Sequence, residues 1–311
     1  MASGNTEKHT LTYRTVRGLD IQLDYILPER DADSGARKPP IVVWFHGGGL
    51  IQGSRIGVYS YPHLSRAPSK FNLCLVAADY RLAPQTRFPQ ILSDLTSLFS
   101  YISSAAFKTA TDNRLDYDRI VVMGSSAGGW LSLLSGLKIG FDETGQEYDD
   151  GLTARLRGVV GLYPITTVED KFWHEPQRRK LTLLYCRLDV IHNRVIDKAE
   201  LKEFLDPKAD EIQEGILQNL LLDGTNADPS AFTVAKAIRD KRTVSPLPPV
   251  YLVHGTADDK VPENQAVEVV EALRAVGHSE VRYERREGLN HSFDVDDDMD
   301  ELWSWVIAQL G

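Results

Sequence analysis

Ser126, Asp258 and His291 are the residues whose types, surroundings and order could do chemistry together. Ser126 is the middle residue of Gly124-Ser125-Ser126-Ala127-Gly128, which directly follows the apolar run Ile120-Val121-Val122-Met123. That order reads as a strand, a sharp turn with a serine at its tip, and a helix opening at Ala127-Gly128-Gly129-Trp130-Leu131. Gly124 and Gly128 flank the tip because a chain bent this tightly has little room for side chains. The following helix turns its positive end toward the serine and so favours negative charge developing there. A serine in this setting becomes a nucleophile once a base takes its proton. The five-residue pattern alone also describes an ordinary Gly/Ser loop, so context must decide.

Three other segments supply that context. Upstream, Ile41-Val42-Val43-Trp44-Phe45 runs into His46-Gly47-Gly48-Gly49, an apolar strand ending in three glycines. Glycines there let backbone N–H groups approach a substrate oxygen unobstructed, as an oxyanion loop requires. His46 is expected to hold that loop and not to move protons. Downstream, Pro249-Val250-Tyr251-Leu252-Val253-His254-Gly255-Thr256-Ala257-Asp258-Asp259-Lys260-Val261-Pro262 places carboxylates just beyond another apolar strand. The pattern H-G-x-x-D-x-x-V-P selects Asp258, with Asp259 in reserve; both also suit a solvated turn. Last, Glu287-Gly288-Leu289-Asn290-His291-Ser292-Phe293 follows the strand-like alternation from Glu280 to Arg285 and presents a loop histidine as general base. Asp294 lies on the wrong side of His291 for the chain order and is expected at the surface.

Together with Ala78-Asp79-Tyr80-Arg81-Leu82-Ala83-Pro84 and the extended elbow Gly124 to Gly129, these segments resemble the α/β-hydrolase superfamily. Within it the chain is most similar to the hormone-sensitive-lipase-like carboxylesterases, over about residues 38–311. The order Ser, Asp, His is that of this superfamily and not of the chymotrypsin or subtilisin types. Two positions depart from the group. Ser125 stands where it usually has Asp, and the acid loop His254 to Pro262 looks like that of prolyl-oligopeptidase-type and dienelactone-type hydrolases. Asp79-Tyr80-Arg81 is expected to be a structural lock near the oxyanion loop.

The resemblance implies an α/β-hydrolase fold, a mostly parallel central sheet flanked by helices, with an inserted helical cap. It implies a Ser126–His291–Asp258 triad working through an acyl-enzyme, with N–H groups of Gly48, Gly49 and Ala127 as the oxyanion hole. Activity would rise as His291 becomes neutral, near about pH 6.5 for an ordinary imidazole. No metal or organic cofactor is needed. The expected partner is a small ester-type substrate, which makes the chain a carboxylesterase. A lactone, a thioester or an amide suits the same triad, and the acid loop keeps peptide-like substrates open. The alternative from another class is a hydrolase-fold receptor that binds a small ligand without turning it over. Such receptors typically lose a triad member, whereas all three residues stand here. A homodimer formed through an edge strand or the helix near 297–310 is a family-level expectation.

Composition agrees. The chain has 311 residues with ordinary apolar content, enough for a large core without staples. A formal charge of −9 argues against nucleic acid or an anionic membrane surface as a partner. Only Cys74 and Cys186 occur, far apart in sequence, which excludes a disulfide framework and favours an intracellular setting. The polar N-terminus lacks the apolar core of a signal peptide, and no apolar run is long enough to span a bilayer. A cytoplasmic protein is the expectation.

The elements that must position these residues follow from periodicity. Residues 9–27 read as an antiparallel pair turning at Arg17-Gly18-Leu19-Asp20, and Pro28 to Pro40 as a surface loop. Strands are expected near 41–45, 73–78, 119–123, 157–162, 249–253 and 280–285, and helices near 89–104, 126–138, 262–277 and 297–310. Strand–helix alternation implies parallel strands covered on both faces. The rhythm breaks between Leu162 and Pro249, an interval too long for a simple crossover. Its helical patterns, Val195 to Leu205, Ala209 to Leu222 and Pro229 to Lys241, divide the chain into a core of residues 1–165 and 246–311 and a cap of 166–245. Phe172, Trp173, His174, Leu181, Leu184 and Tyr185 either line a substrate pocket beneath that cap or glue it to the core. Tyr163-Pro164, just past a core strand, is placed to reach the pocket.

Overall fold

Five short apolar runs build the centre of the molecule because each can be buried on both faces. In the computed structural model, which describes residues 8–28, 37–174, 218 and 221–311, they are β3 (Ile41–Phe45), β4 (Cys74–Ala78), β5 (Ile120–Ser125), β6 (Leu156–Leu162) and β7 (Val250–Gly255). The hairpin β1 (Lys8–Val16) and β2 (Leu19–Ile26) precedes them, and β8 (Val281–Arg286) closes the far edge. The eight strands form one sheet in the order β1-β2-β4-β3-β5-β6-β7-β8. β1 and β2 run antiparallel to their neighbours, and β3 to β8 pair in parallel.

Side chains alternate across the sheet, so one strand feeds two cores. Ile41, Val43 and Phe45 point to one, Val42 and Trp44 to the other. Helix α1 (Phe88–Ser103) covers the first with Ile91, Leu92, Leu95, Leu98, Phe99 and Ile102, an apolar stripe at helical spacing. Its one buried acid, Asp94, takes hydrogen bonds from Arg81 and Arg14. Helix α2 (Ala127–Leu137) is buried along its whole length. Helix α3 (Asn264–Ala275) lies on the same side as α1, and α4 (Asp300–Leu310) packs Leu302, Trp303 and Val306 into the second core. Expected and observed strand and helix positions agree within three residues, the largest gap being the start of α4 at Asp300. The hairpin turn is tighter than expected, with only Arg17 and Gly18 between the strands, both at positive φ. The short helices between Arg55 and Phe71 were not foreseen.

The strand order creates the site. From β3 the chain moves outward to β4, then returns to β5 on the other side of β3. The connections leaving β3 and β5 therefore diverge, opening a crevice at their carboxyl ends where ligands bind in open α/β sheets. The glycine loop leaves β3 there and Ser126 leaves β5.

Of the long interval after β6, the described stems meet on the core. The Val234 amide donates to the Thr166 carbonyl at 3.0 Å, and the Thr167 and Thr233 hydroxyls lie 2.8 Å apart. Leu181, Leu184, Tyr185, Cys186, the pattern Val195 to Leu205 and most of the pattern Ala209 to Leu222 lie outside the described residues, as does the His174 side chain. Trp173 packs into the core and donates its indole N–H to the Thr167 carbonyl, contacts that anchor this stem. Cys74 is a buried free thiol whose pKa burial pushes far up, an inert small hydrophobe.

Candidate active site

The serine turn is strained because the backbone leaves it no choice. Ser126 has φ 54° and ψ −119°, a conformation costing on the order of 1–3 kcal/mol for a residue with a side chain. It stands as the N-cap of α2, so the expected helix begins one residue later, at Ala127. A Cβ on Gly124 would come within 2.3 Å of the Gly128 carbonyl oxygen, and one on Gly128 within 2.1 Å of the Phe45 carbonyl oxygen. Both glycines of the pattern are thus fixed by close backbone approach, the second against β3 itself.

The glycine loop reaches the serine from that side. A Cβ on Gly47 would lie 3.3 Å from Ser126 Cβ. Gly48 and Gly49 both have positive φ, 109° and 64°. Ala127 is the first residue of α2, where an N–H has no intrahelical partner and faces outward. The loop is held from behind. His46 Nδ1–H donates to the Gly47 carbonyl at 2.7 Å, the Tyr80 hydroxyl donates to the His46 carbonyl at 2.8 Å, and the two rings stack at 4.2 Å. Burial lowers the His46 pKa, so the ring stays neutral. Asp79, next to Tyr80, pairs with the Arg55 guanidinium and also accepts the Arg55 amide. This is the lock read from Asp79-Tyr80-Arg81.

Asp258 and His291 meet although 33 positions separate them. His291 Nδ1–H donates to Asp258 Oδ2 at 2.7 Å. That bond fixes the tautomer with Nε2 free to accept a proton. Asp258 Oδ1 takes the amides of Lys260 and Val261 at 2.9 and 3.0 Å. His254 Nε2 lies 3.3 Å from Asp258 Oδ2 and 3.0 Å from the Val261 carbonyl. Burial alone would raise the Asp258 pKa. Hydrogen bonds from His254 and His291, the His291 charge and the Val261 amide outweigh it, holding the carboxyl well below the usual range. Asp259 faces away, toward Lys260.

The base loop is laced to the acid loop by residues that the sequence did not single out. Asn290 Oδ1 accepts the amides of both Asp259 and His291. The Ala257 amide donates to the Leu289 carbonyl, and the Gly288 amide to the Thr256 hydroxyl. Gly255 is small because a Cβ there would lie 2.2 Å from the Leu289 carbonyl oxygen. Nothing local in the sequence marks them, because their partners lie across the two loops.

Tyr163 joins the two halves. Its amide donates to Val253 of β7, its neighbour Ile165 donates to the Ser126 carbonyl at 3.2 Å, and its ring rests 4.5 Å from the His291 ring. Asp294 corrects the sequence reading: it is buried at 1% exposure, not a surface residue, and accepts the Tyr163 hydroxyl at 2.5 Å. The expectation failed because its partners, Tyr163 and His63, arrive from 131 and 231 positions away. Among the described residues no group of three or more His, Cys, Asp or Glu is arranged to hold a metal ion.

Residues 42–295 match the family model described as alpha/beta hydrolase fold, and the chain belongs to that family. Among curated proteins it is similar to esterase LipC of Mycobacterium tuberculosis, 29% identical over 266 residues, 86% of this chain and 56% of that one. The chain thus spans little more than half the length of that relative. It is also similar to the probable carboxylesterase M8 of a Phoma species, 25% identical over 94% of this chain and 91% of that one. Among solved structures, the esterase Est2 of the planctomycete Thermogutta terrifontis, with butyrate bound, superposes with a TM-score of 0.63 at 19% identity, covering 98% of this chain and 91% of that one. No helix among the described residues is long and apolar enough to cross a membrane.

Proposed function

We propose that the chain is a serine esterase that cleaves small carboxylic esters through Ser126, His291 and Asp258. The observation that carries this reading is the His291–Asp258 hydrogen bond beside a strained serine elbow and a glycine loop. The names of the curated relatives, an esterase and a probable carboxylesterase, support it. Ser126 Oγ attacks the ester carbonyl carbon while His291 Nε2 takes its proton. The oxyanion formed is held by N–H groups of Gly48, Gly49 and Ala127. As the tetrahedral adduct collapses, His291 gives the proton to the departing alcohol, leaving an acyl group on Ser126. Water, deprotonated by His291, then attacks the acyl carbon, and the carboxylic acid leaves. Asp258, charged and fully bonded, holds the imidazole tautomer and offsets the charge of the imidazolium. Residues 166–245 form the cap that shapes the acyl pocket, their stems joined at Thr166 and Val234.

A fluorophosphonate probe tests the reading directly. It should label the wild-type chain and not Ser126→Ala; equal labelling of both, or of neither, overturns it. p-Nitrophenyl esters of rising chain length, set beside a lactone, a thioester and an aminoacyl amide, then fix the substrate class. Hydrolysis of the short esters is expected to lead.

A further inference from the structure

One buried cluster near the catalytic residues has no part in the steps above. Asp294 accepts the Tyr163 hydroxyl on Oδ1 at 2.5 Å. Its Oδ2 lies 3.3 Å from His63 Nε2. The Trp303 indole N–H donates to His63 Nδ1 at 3.1 Å. A ring nitrogen that accepts carries no proton, so in the neutral His63 ring the N–H is on Nε2, directed at Asp294. Both carboxylate oxygens therefore only accept, which is the pattern of an ionised acid. Asp294, His63 and Tyr163 are all nearly inaccessible to solvent, and so is Ser125. The phenol of Tyr61 lies close enough to Asp294 to feel its charge, and Ser125 sits beside the hydroxyls of Tyr61 and Tyr163.

A carboxylate in such a place is costly unless it has a task or full bonding. What it holds is Tyr163. The Tyr163 backbone has φ 36°, a left-handed conformation that a bulky residue avoids. Its amide is anchored on β7, and its ring is the face on which the His291 imidazole rests, 4.5 Å away and tilted by 59°. Phe293, in the same loop as His291, contacts the other part of that ring at 5.3 Å. The hydrogen bond to Asp294 fixes the far end of the phenol, so the ring cannot swing. Asp294 is also three positions from His291, joined by the short helical turn Phe293–Val295. One residue thus ties the base loop to the seat of its own base.

We propose that Asp294 is a positioning residue for His291, acting through Tyr163, and that together they hold the imidazole in line with Ser126. The inference rests on the serine-esterase reading for its catalytic consequence but not for its structural one. The groups facing His291 are Asp258 from the loop after β7 and Tyr163 from the turn after β6. Those facing Asp294 are Tyr163, Tyr61 and His63.

The test uses the full chain and two near-isosteric variants, Asp294→Asn and Tyr163→Phe. Both should lower kcat on p-nitrophenyl butyrate about 10- to 100-fold, the scale of a misplaced catalytic group, while KM stays within about twofold. Both variants should also shift and broaden the His291 ring signals in NMR, because the imidazole loses the fixed seat that Tyr163 gives it. Melting curves identify a variant that fails to fold. If Asp294→Asn is that variant, the kcat of Tyr163→Phe decides alone. Folded variants with wild-type kcat and unmoved His291 ring signals overturn the inference. The NMR readout needs no turnover, so an inactive, unlabelled wild type would overturn the esterase reading and leave this arm to decide the positioning by itself.

Discussion

Asp258 is buried yet stays ionised, and that combination decides what its loss would do. Four donors converge on it, two backbone amides and two imidazoles. In Asp258→Asn the side chain offers an N–H₂ where His291 Nδ1–H needs an acceptor, so the imidazole turns or adopts the wrong tautomer. The expected cost is about 10⁴-fold in kcat with little change in KM, measured on a p-nitrophenyl ester. The same carboxyl makes a prediction about stability. Its folded-state pKa lies below that of an exposed aspartate, near 3.9. A lowered carboxylate stabilises the fold above the unfolded-state pKa, and that contribution is lost as pH falls toward the folded value. The stability gap between wild type and Asp258→Asn in urea titrations should therefore be constant above about pH 5 and shrink below about pH 3.9. A gap that widens toward acid would contradict the charged, fully bonded Asp258.

Elements carry the strain that the residues use. The tight elbow exists because β5, α2 and β3 approach closely enough that neither Gly124 nor Gly128 can hold a Cβ. Gly128→Ala forces the Phe45 carbonyl to move, and with it the end of β3 and the glycine loop. It should cost about 3 kcal/mol, toward the upper end of overpacking effects, and abolish probe labelling at Ser126. Gly145→Ala is the control. Gly145 has φ 65° but open space around its missing Cβ, so only the conformational penalty of about 1 kcal/mol remains. Chemical denaturation of the two variants separates contact from conformation. This is also where the sequence was most legible. Strands buried on both faces show as unbroken apolar runs, and an elbow shows as glycines at fixed distances from a serine. The choice of Asp258 over Asp259 came from the same local pattern; in the structure Asp258 bonds His291 and Asp259 lies beside Lys260. Asn290, His254 and Asp294 were illegible because their roles are contacts across loops. Nothing in the run Asn290-His291-Ser292-Phe293-Asp294 tells which side chains a distant Tyr163 and His63 will meet.

At the scale of the whole molecule, the site is a meeting of segments that different parts of the sheet deliver, and the long interval after β6 is tied to the same framework. Phe232, from the returning stem of that interval, is fully buried. Its ring lies 4.4 Å from Phe88 of α1, and Phe88 lies 4.5 Å from Trp130 of α2. The Trp130 indole N–H donates to the Phe232 carbonyl at 3.0 Å. Trp130 stands one helical turn after Ser126, so this aromatic cluster packs on α2 close to the elbow. Phe232→Ala leaves a cavity there and should cost about 3–5 kcal/mol, which for a chain of this size lowers the melting temperature by roughly 10 °C. The backbone bond to Trp130 survives the substitution, because it uses the Phe232 carbonyl. The elbow is set separately, by Gly124 and Gly128 against β3. Below its melting range the variant should therefore label at Ser126 within about threefold of the wild-type rate, as expected when the elbow's own glycine contacts are left intact. Phe232→Leu refills most of the cavity and should recover at least half of the lost stability. A Phe232→Ala variant that melts as the wild type does would mean that the returning stem is not packed on α1 and α2. One that melts early and also loses labelling at low temperature would mean that the elbow depends on the interval as well as on the sheet.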